Sequence, residues 1–155
     1  MVSTVRIIGI KGKCPPKEVV KHFNSLGGDV ILMDPSYVYC EDQIFSAVEH
    51  AERSFKLGNN RSKTLLTEII LYATGERQIS KALTKMSPKK DEEAYVAVII
   101  DIPGDLELDK ISMERCDEII AGTPEKARLM GLENDLDIPC EDLALEMVAM
   151  LDLAK

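Results

Sequence analysis

Tyr95-Val96-Ala97-Val98-Ile99-Ile100 is apolar at six consecutive positions. A strand turns successive side chains to opposite faces, so this run needs cover on both sides and reads as a central strand. That requirement commits the chain to a sheet with helices packed around it. Val5, Ile7, Ile8 and Ile10 form a second β-branched run ending before Gly12, which predicts a strand over residues 2–10. Val30-Ile31-Leu32-Met33 predicts a third, closed by Asp34-Pro35 because the residue before proline is pushed out of the helical region. Cys116-Asp117-Glu118-Ile119-Ile120 predicts one more, after a short irregular or helical piece carrying Leu106, Leu108 and Ile111. The fold class is therefore α/β of the mixed α+β kind, with a mixed sheet of about four to five strands. At 155 residues and 45% hydrophobic content the chain is expected to build one packed core as a single domain over residues 1–155.

The helices follow from period and punctuation. Pro15 and Pro16 suit a first turn, with Val19, Val20 and Phe23 as the apolar face and Gly27-Gly28 as the stop. Ile44, Ala47, Val48, Ala51 and Phe55 recur at helical spacing, predicting a helix from Glu41 to Leu57 with Gly58 as a left-handed end. Residues 64–74 are apolar nearly all round apart from Glu68, as a central helix would be. Ile79, Ala82, Leu83 and Met86 predict a further helix from Glu76 to Met86. Thr123-Pro124 is a helix start closed by Gly131, and the last helix is expected over residues 141–153. On it Leu143, Met147, Met150, Leu151 and Ala154 are expected to face the core, leaving Leu145, Val148 and Ala149 as a second apolar patch for a partner.

Cys14, Cys40, Cys116 and Cys140 stand far apart with no C-x-x-C, no apolar run approaches 18 residues, and the start lacks a signal-peptide pattern. The expectation is a soluble, cytoplasmic protein with reduced cysteines in its core and no membrane partner. His22 and His50 lie in separate helices without metal-ligand spacing, and no phosphate-cradling glycine motif or nucleophile motif is present, so no cofactor and no metal are expected. A binding module fits these absences better than an enzyme.

The net charge of −8 argues against nucleic acid as a partner only on average. Residues 1–100 hold 14 Lys+Arg against 12 Asp+Glu, and residues 101–155 hold 5 against 15. Residues 53–63 carry Arg53, Lys56, Arg61 and Lys63 with no acid; residues 76–90 carry Arg77, Lys81, Lys85, Lys89 and Lys90 against Glu76. Either stretch is an ordinary solvated face or part of an anion-binding surface. If Gly75 ends one helix and the next starts at Glu76, Arg77 and Gln78 fall in a first turn, where free backbone N–H groups favour a phosphate or carboxylate. Arg77 pairing with Glu76 or Glu68 is the plainer alternative. A helix of 11 residues rises about 16 Å, so a tight turn at Gly75 would bring Lys85 back toward Arg61 and Lys63. With Arg77, Lys81 and Lys85 in an i, i+4, i+8 stripe and Ile79 and Tyr72 beside it, the result is a groove suited to a single-stranded end.

Val30-Ile31-Leu32-Met33-Asp34-Pro35, Ala47-Val48-Glu49-His50-Ala51, Asn60-Arg61-Ser62-Lys63-Thr64-Leu65, the stretch Glu68-Ile69-Ile70-Leu71-Tyr72-Ala73-Thr74-Gly75-Glu76-Arg77-Gln78-Ile79-Ser80-Lys81-Ala82 and Leu145-Glu146-Met147-Val148-Ala149-Met150-Leu151-Asp152 together resemble a known family. It is the kinase-binding CGI-type subunit of the KEOPS tRNA-modification complex. Ser87 departs from it, standing where members often carry glycine. The resemblance implies a non-catalytic subunit of the complex that makes threonylcarbamoyladenosine in tRNA. It also implies two partners, a RIO-like atypical kinase or ATPase and the single-stranded CCA end of tRNA. Carried onto matching positions, the RNA role falls on Asn60, Arg61, Ser62, Lys63, Arg77, Gln78 and Ile79, and the basic stripe adds Lys81 and Lys85. The competing expectations are a small enzyme using Arg77 with Glu68 or Asp101 on a nucleotide or acidic metabolite, and a scaffold without RNA contact.

Overall fold

The computed structural model describes residues 4–153; Val2 and Ser3 of the first expected strand and Ala154 of the last expected helix lie outside them. The chain is mixed α/β. Its contacts fall into two compact units, Met1–Pro35 with Ser87–Ile120, and Ser36–Met86 with Ala121–Lys155.

The first unit holds the sheet: β1 (Val5–Gly12), β2 (Asp29–Met33), β3 (Ala94–Ile100) and β4 (Met113–Arg115), with α1 (Pro16–Ser25) between β1 and β2. The order is β2-β3-β1-β4 and every pairing is antiparallel. Because β1 and β2 both run antiparallel to β3, they are parallel to each other with β3 inserted between them. The six-residue apolar run accordingly forms a central strand, buried from Tyr95 to Ile100. Val19 and Phe23 of α1 join Ile8, Ile10, Val30, Leu32, Tyr95, Ala97 and Ile99 in one core cluster, and Val20 packs at its margin.

The strand expected at 116–120 is a 3-10 turn at Asp117–Ile120, and the fourth strand lies just before it. The cause is a close approach to β1. The Cys116 N–H donates to the Gly9 carbonyl at 2.7 Å, and the Gly9 N–H donates to Asp117 Oδ1 at 3.3 Å. Asp117 also receives Arg115 Nη2 at 2.9 Å, and the Ile119 N–H turns back to the Cys116 carbonyl. A Cβ on Gly9 would lie 2.1 Å from the Cys116 oxygen, so only glycine admits this crossing. The Leu106–Ile111 stretch ends in a 3-10 turn at Leu108–Ile111.

The second unit is helical: α2 (Glu41–Leu57), α3 (Leu65–Thr74), α4 (Ile79–Met86), α5 (Pro124–Met130) and α6 (Cys140–Leu153). α2 begins and ends where the spacing placed it, and Gly58 closes it at φ 74°. Ile44, Ala47, Val48 and Ala51 are buried, as are Ile69, Leu71, Tyr72 and Ala73 of α3. Thr123 caps α5 by accepting from the Lys126 N–H, and Gly131 ends it. Buried Gln43 joins α2 to α3: its amide donates to the carbonyls of Tyr37 and Ala73, and its oxygen accepts from the Tyr39 N–H. The Tyr72 hydroxyl donates to Asp152 Oδ1 at 2.5 Å and His50 Nδ1 lies 2.6 Å from Oδ2, so three side chains tie α2, α3 and α6 together.

Two burial expectations change. The four cysteines are half-buried rather than core, and none forms a disulfide. On α6 the inward stripe is Ala144, Val148 and Leu151; Val148 is 0% exposed, while Met150, expected inside, is 51% exposed. Val148 is thus a core residue and leaves the proposed partner patch, of which Leu145 is half-buried and Ala149 exposed.

Candidate nucleic-acid interface

The residues assigned to RNA sit at the two ends of α3 and on α4, all within the helical unit. At the head of α3, residues 59–64 form an irregular loop capped by Thr64, whose side chain accepts from the Thr67 N–H. Asn60 donates its amide to the Ser62 carbonyl at 2.7 Å. Ser62 is buried, and both its N–H (2.9 Å) and its hydroxyl (3.0 Å) reach Glu68 Oε1. Ser62 therefore shapes the loop and presents nothing outward, whereas Arg61 and Lys63 on either side of it are exposed.

At the tail, Gly75 adopts φ 72° and its N–H bonds back to the Leu71 carbonyl at 2.9 Å. α4 starts at Ile79, not at the expected Glu76. The Glu76 N–H lies 3.3 Å from the Thr74 hydroxyl, and its carboxylate holds Lys85 Nζ at 2.6 Å, so residues 76–78 are occupied in reversing the chain. Arg77 and Gln78 consequently precede the helix, and the Gln78 carbonyl accepts its first bond, from the Ala82 N–H. The same ion pair engages the Lys85 ammonium at the Gly75 turn. Lys63, Arg77 and Lys81 are exposed and carry no ion pair among the described residues. Ile79 and Leu83, one turn apart on α4, are each 38% exposed, on one flank of the buried Ala82 and Met86, and Lys81 lies on the other.

Two depressions meet at Arg77. One, of about 480 Å³, is lined by Gly75, Arg77, Met150, Leu151 and Leu153; the other, of about 260 Å³, by Gly75, Glu76, Arg77, Gln78 and Lys81. The first is the more apolar in its side chains and the second is polar. The sequence reading missed the contribution of α6 here, because a helix with apolar residues on several sides does not announce which side is left open. It also offered Glu68 as a partner of Arg77 and not as the anchor of the loop before α3. Arg77 does not pair with Glu68, which is bound into the loop; Asp101 belongs to the sheet unit, where its Oδ1 accepts from the Thr4 N–H. No cluster of three or more potential metal ligands occurs among the described residues, and no helix among them is long and apolar enough to cross a membrane.

A family model described as kinase binding protein CGI-121 matches residues 16–137. This stretch includes the loop, the Gly75 turn and α4, and stops short of α6. No curated protein matches the chain.

Proposed function

The chain belongs to the CGI-121 family of kinase binding proteins, and from that membership we propose an accessory subunit of a KEOPS-type tRNA-modifying complex that holds the CCA end of tRNA and a RIO-like kinase. The RNA half of this reading is carried by one observation. Lys63, Arg77 and Lys81 stand exposed without ion pairs among the described residues, and Arg77 lines a depression with the apolar Met150, Leu151 and Leu153. Cations beside apolar side chains suit a single strand, whose phosphates take the charge and whose unstacked bases take the apolar surface. In this arrangement Arg77 meets a phosphate, and the depression it shares with Met150 and Leu153 seats a terminal base. No side chain here makes or breaks a bond; the chemistry belongs to another subunit.

The kinase contact is placed on the flank of α6 that carries Leu145 and Ala149. On a helix these lie to one side of the buried Ala144-Val148-Leu151 stripe, with Met147 and Met150 to the other. The two partners then use opposite flanks of one helix. The test is binding of intact and CCA-trimmed tRNA to the same preparation, together with capture of the kinase. Intact tRNA is expected to bind much more tightly; equal affinity of the two tRNAs would defeat the RNA reading and leave a kinase-binding scaffold.

A further inference from the structure

The contacts proposed at Arg61 and Lys63 sit on a loop with neither helix nor strand of its own, so their direction has to be fixed from beneath. The group that does so is the Glu68 carboxylate, 0% exposed and one turn into α3. Its Oε1 accepts from the Arg61 N–H at 3.0 Å, the Ser62 N–H at 2.9 Å and the Ser62 hydroxyl at 3.0 Å. Its Oε2 accepts from the Ser54 hydroxyl on α2 at 3.0 Å and lies 3.2 Å from the Arg61 nitrogen. Two successive backbone N–H groups converging on one anion make the concavity by which loops hold a phosphate. Here the protein fills it with its own side chain. The N–H groups of Arg61 and Ser62 are thereby withheld from RNA, and the loop backbone is held at these two successive residues.

We propose that Glu68 is the positioning residue of the RNA-contact loop, holding the backbone at 61–62 so that the Arg61 and Lys63 side chains are set for phosphate before RNA arrives. The inference rests on the functional reading above. Ordering the loop in advance removes that cost from binding, so its loss shows in affinity well below the melting temperature. A purely structural role would move the melting temperature alone.

The experiment compares Glu68→Gln with the wild-type full chain by amide hydrogen exchange and by binding of tRNA ending in CCA. Exchange at Arg61 and Ser62 is expected to quicken, and affinity to fall by about tenfold. Quicker exchange at those amides with unchanged affinity overturns the proposal. Should Glu68→Gln loosen α2 and α3 as well, Ser54→Ala removes one donor from the carboxylate, with the hydroxyl's contact to Asn59 Oδ1, and leaves the bonds from the Arg61 and Ser62 N–H groups to Glu68 in place. It is expected to lower affinity by about threefold, about half the tenfold effect in free energy, and unchanged affinity overturns the proposal there too. The double variant Arg61→Ala, Lys63→Ala separates the two readings. If it weakens tRNA binding while the Glu68 and Ser54 variants with a loosened loop do not, only the positioning role fails; if it binds tRNA like wild type, the functional reading fails at this loop.

Discussion

At Asp34 two carboxyl groups are brought together under a lysine. Asp34 is buried, Lys89 Nζ lies 2.9 Å from its Oδ2, and Glu92 both hydrogen-bonds to Asp34 and accepts from the Lys89 N–H at 2.9 Å. Burial and then the Asp34 charge raise the Glu92 carboxyl above its ordinary range. A proton held more tightly in the folded state gives stability that is whole below the ordinary glutamate range and is lost as pH rises through the raised value. Glu92→Gln keeps a donor toward Asp34 and an acceptor toward Lys89, so it is expected to melt above wild type near neutral pH, with the gap closing as pH falls to about 4. Melting curves across that range check it, and a gap that does not vary with pH sinks it. Arg77→Ala and Lys63→Ala are each expected to weaken tRNA binding without unfolding the protein, with the dependence of log affinity on log salt shallower by about 0.7 per lost contact. A titration at several salt concentrations reads this, and an unchanged slope removes the residue from the interface. Of the residues assigned to RNA in the sequence, the exposed cations were legible because charge runs show in composition. Ser62 was not, because the carboxylate that engages it lies six residues on in the core.

Element boundaries were legible where a local signal sets them. Gly58 in the left-handed region and the spacing from Ile44 to Ala51 fix α2 without outside help. The start of α4 and the end of the sheet depend on pairings outside any local period: Glu76 with Lys85 at the far end of α4, and Cys116 and Asp117 with Gly9 of β1. No period in the sequence carries such pairings. α6 shows the same limit differently, since its several apolar sides leave its rotation to be decided by the helices it meets. Two variants on this helix separate its faces. Val148→Glu places a charge at a fully buried position and is expected to lower stability by roughly 3 to 5 kcal/mol. Ala149→Glu is expected to leave the melting temperature near wild type and to weaken kinase capture. Melting and capture measured on the same two samples decide between the faces; normal capture by a stable Ala149→Glu protein takes this flank out of the kinase interface.

The acid of the last third is divided between the two units. The sheet unit holds 9 Lys+Arg against 13 Asp+Glu and the helical unit 10 against 14, so the basic stretches belong to a unit that is itself acidic. Attraction to nucleic acid must then be short-ranged. With four phosphate contacts on a single strand, from Arg61, Lys63, Arg77 and Lys81, log affinity should fall against log salt with a slope near −3, about 0.7 per contact, and duplex DNA should bind poorly at physiological salt. A slope steeper than about −5 would mean that a far larger surface is engaged. The insertion of β3 between β1 and β2 also sets an order of events during synthesis. Val5 pairs with Ile100 and Asp29 pairs with the same residue, so the first two strands wait for a third made some seventy to ninety residues later. The stretch between them, α2 to α4, closes mostly on near neighbours and is free to condense while β1 and β2 still lack their common partner. A ribosome making this chain is therefore expected to export β1 and β2 as apolar strands without their common partner until residues 94–100 have emerged.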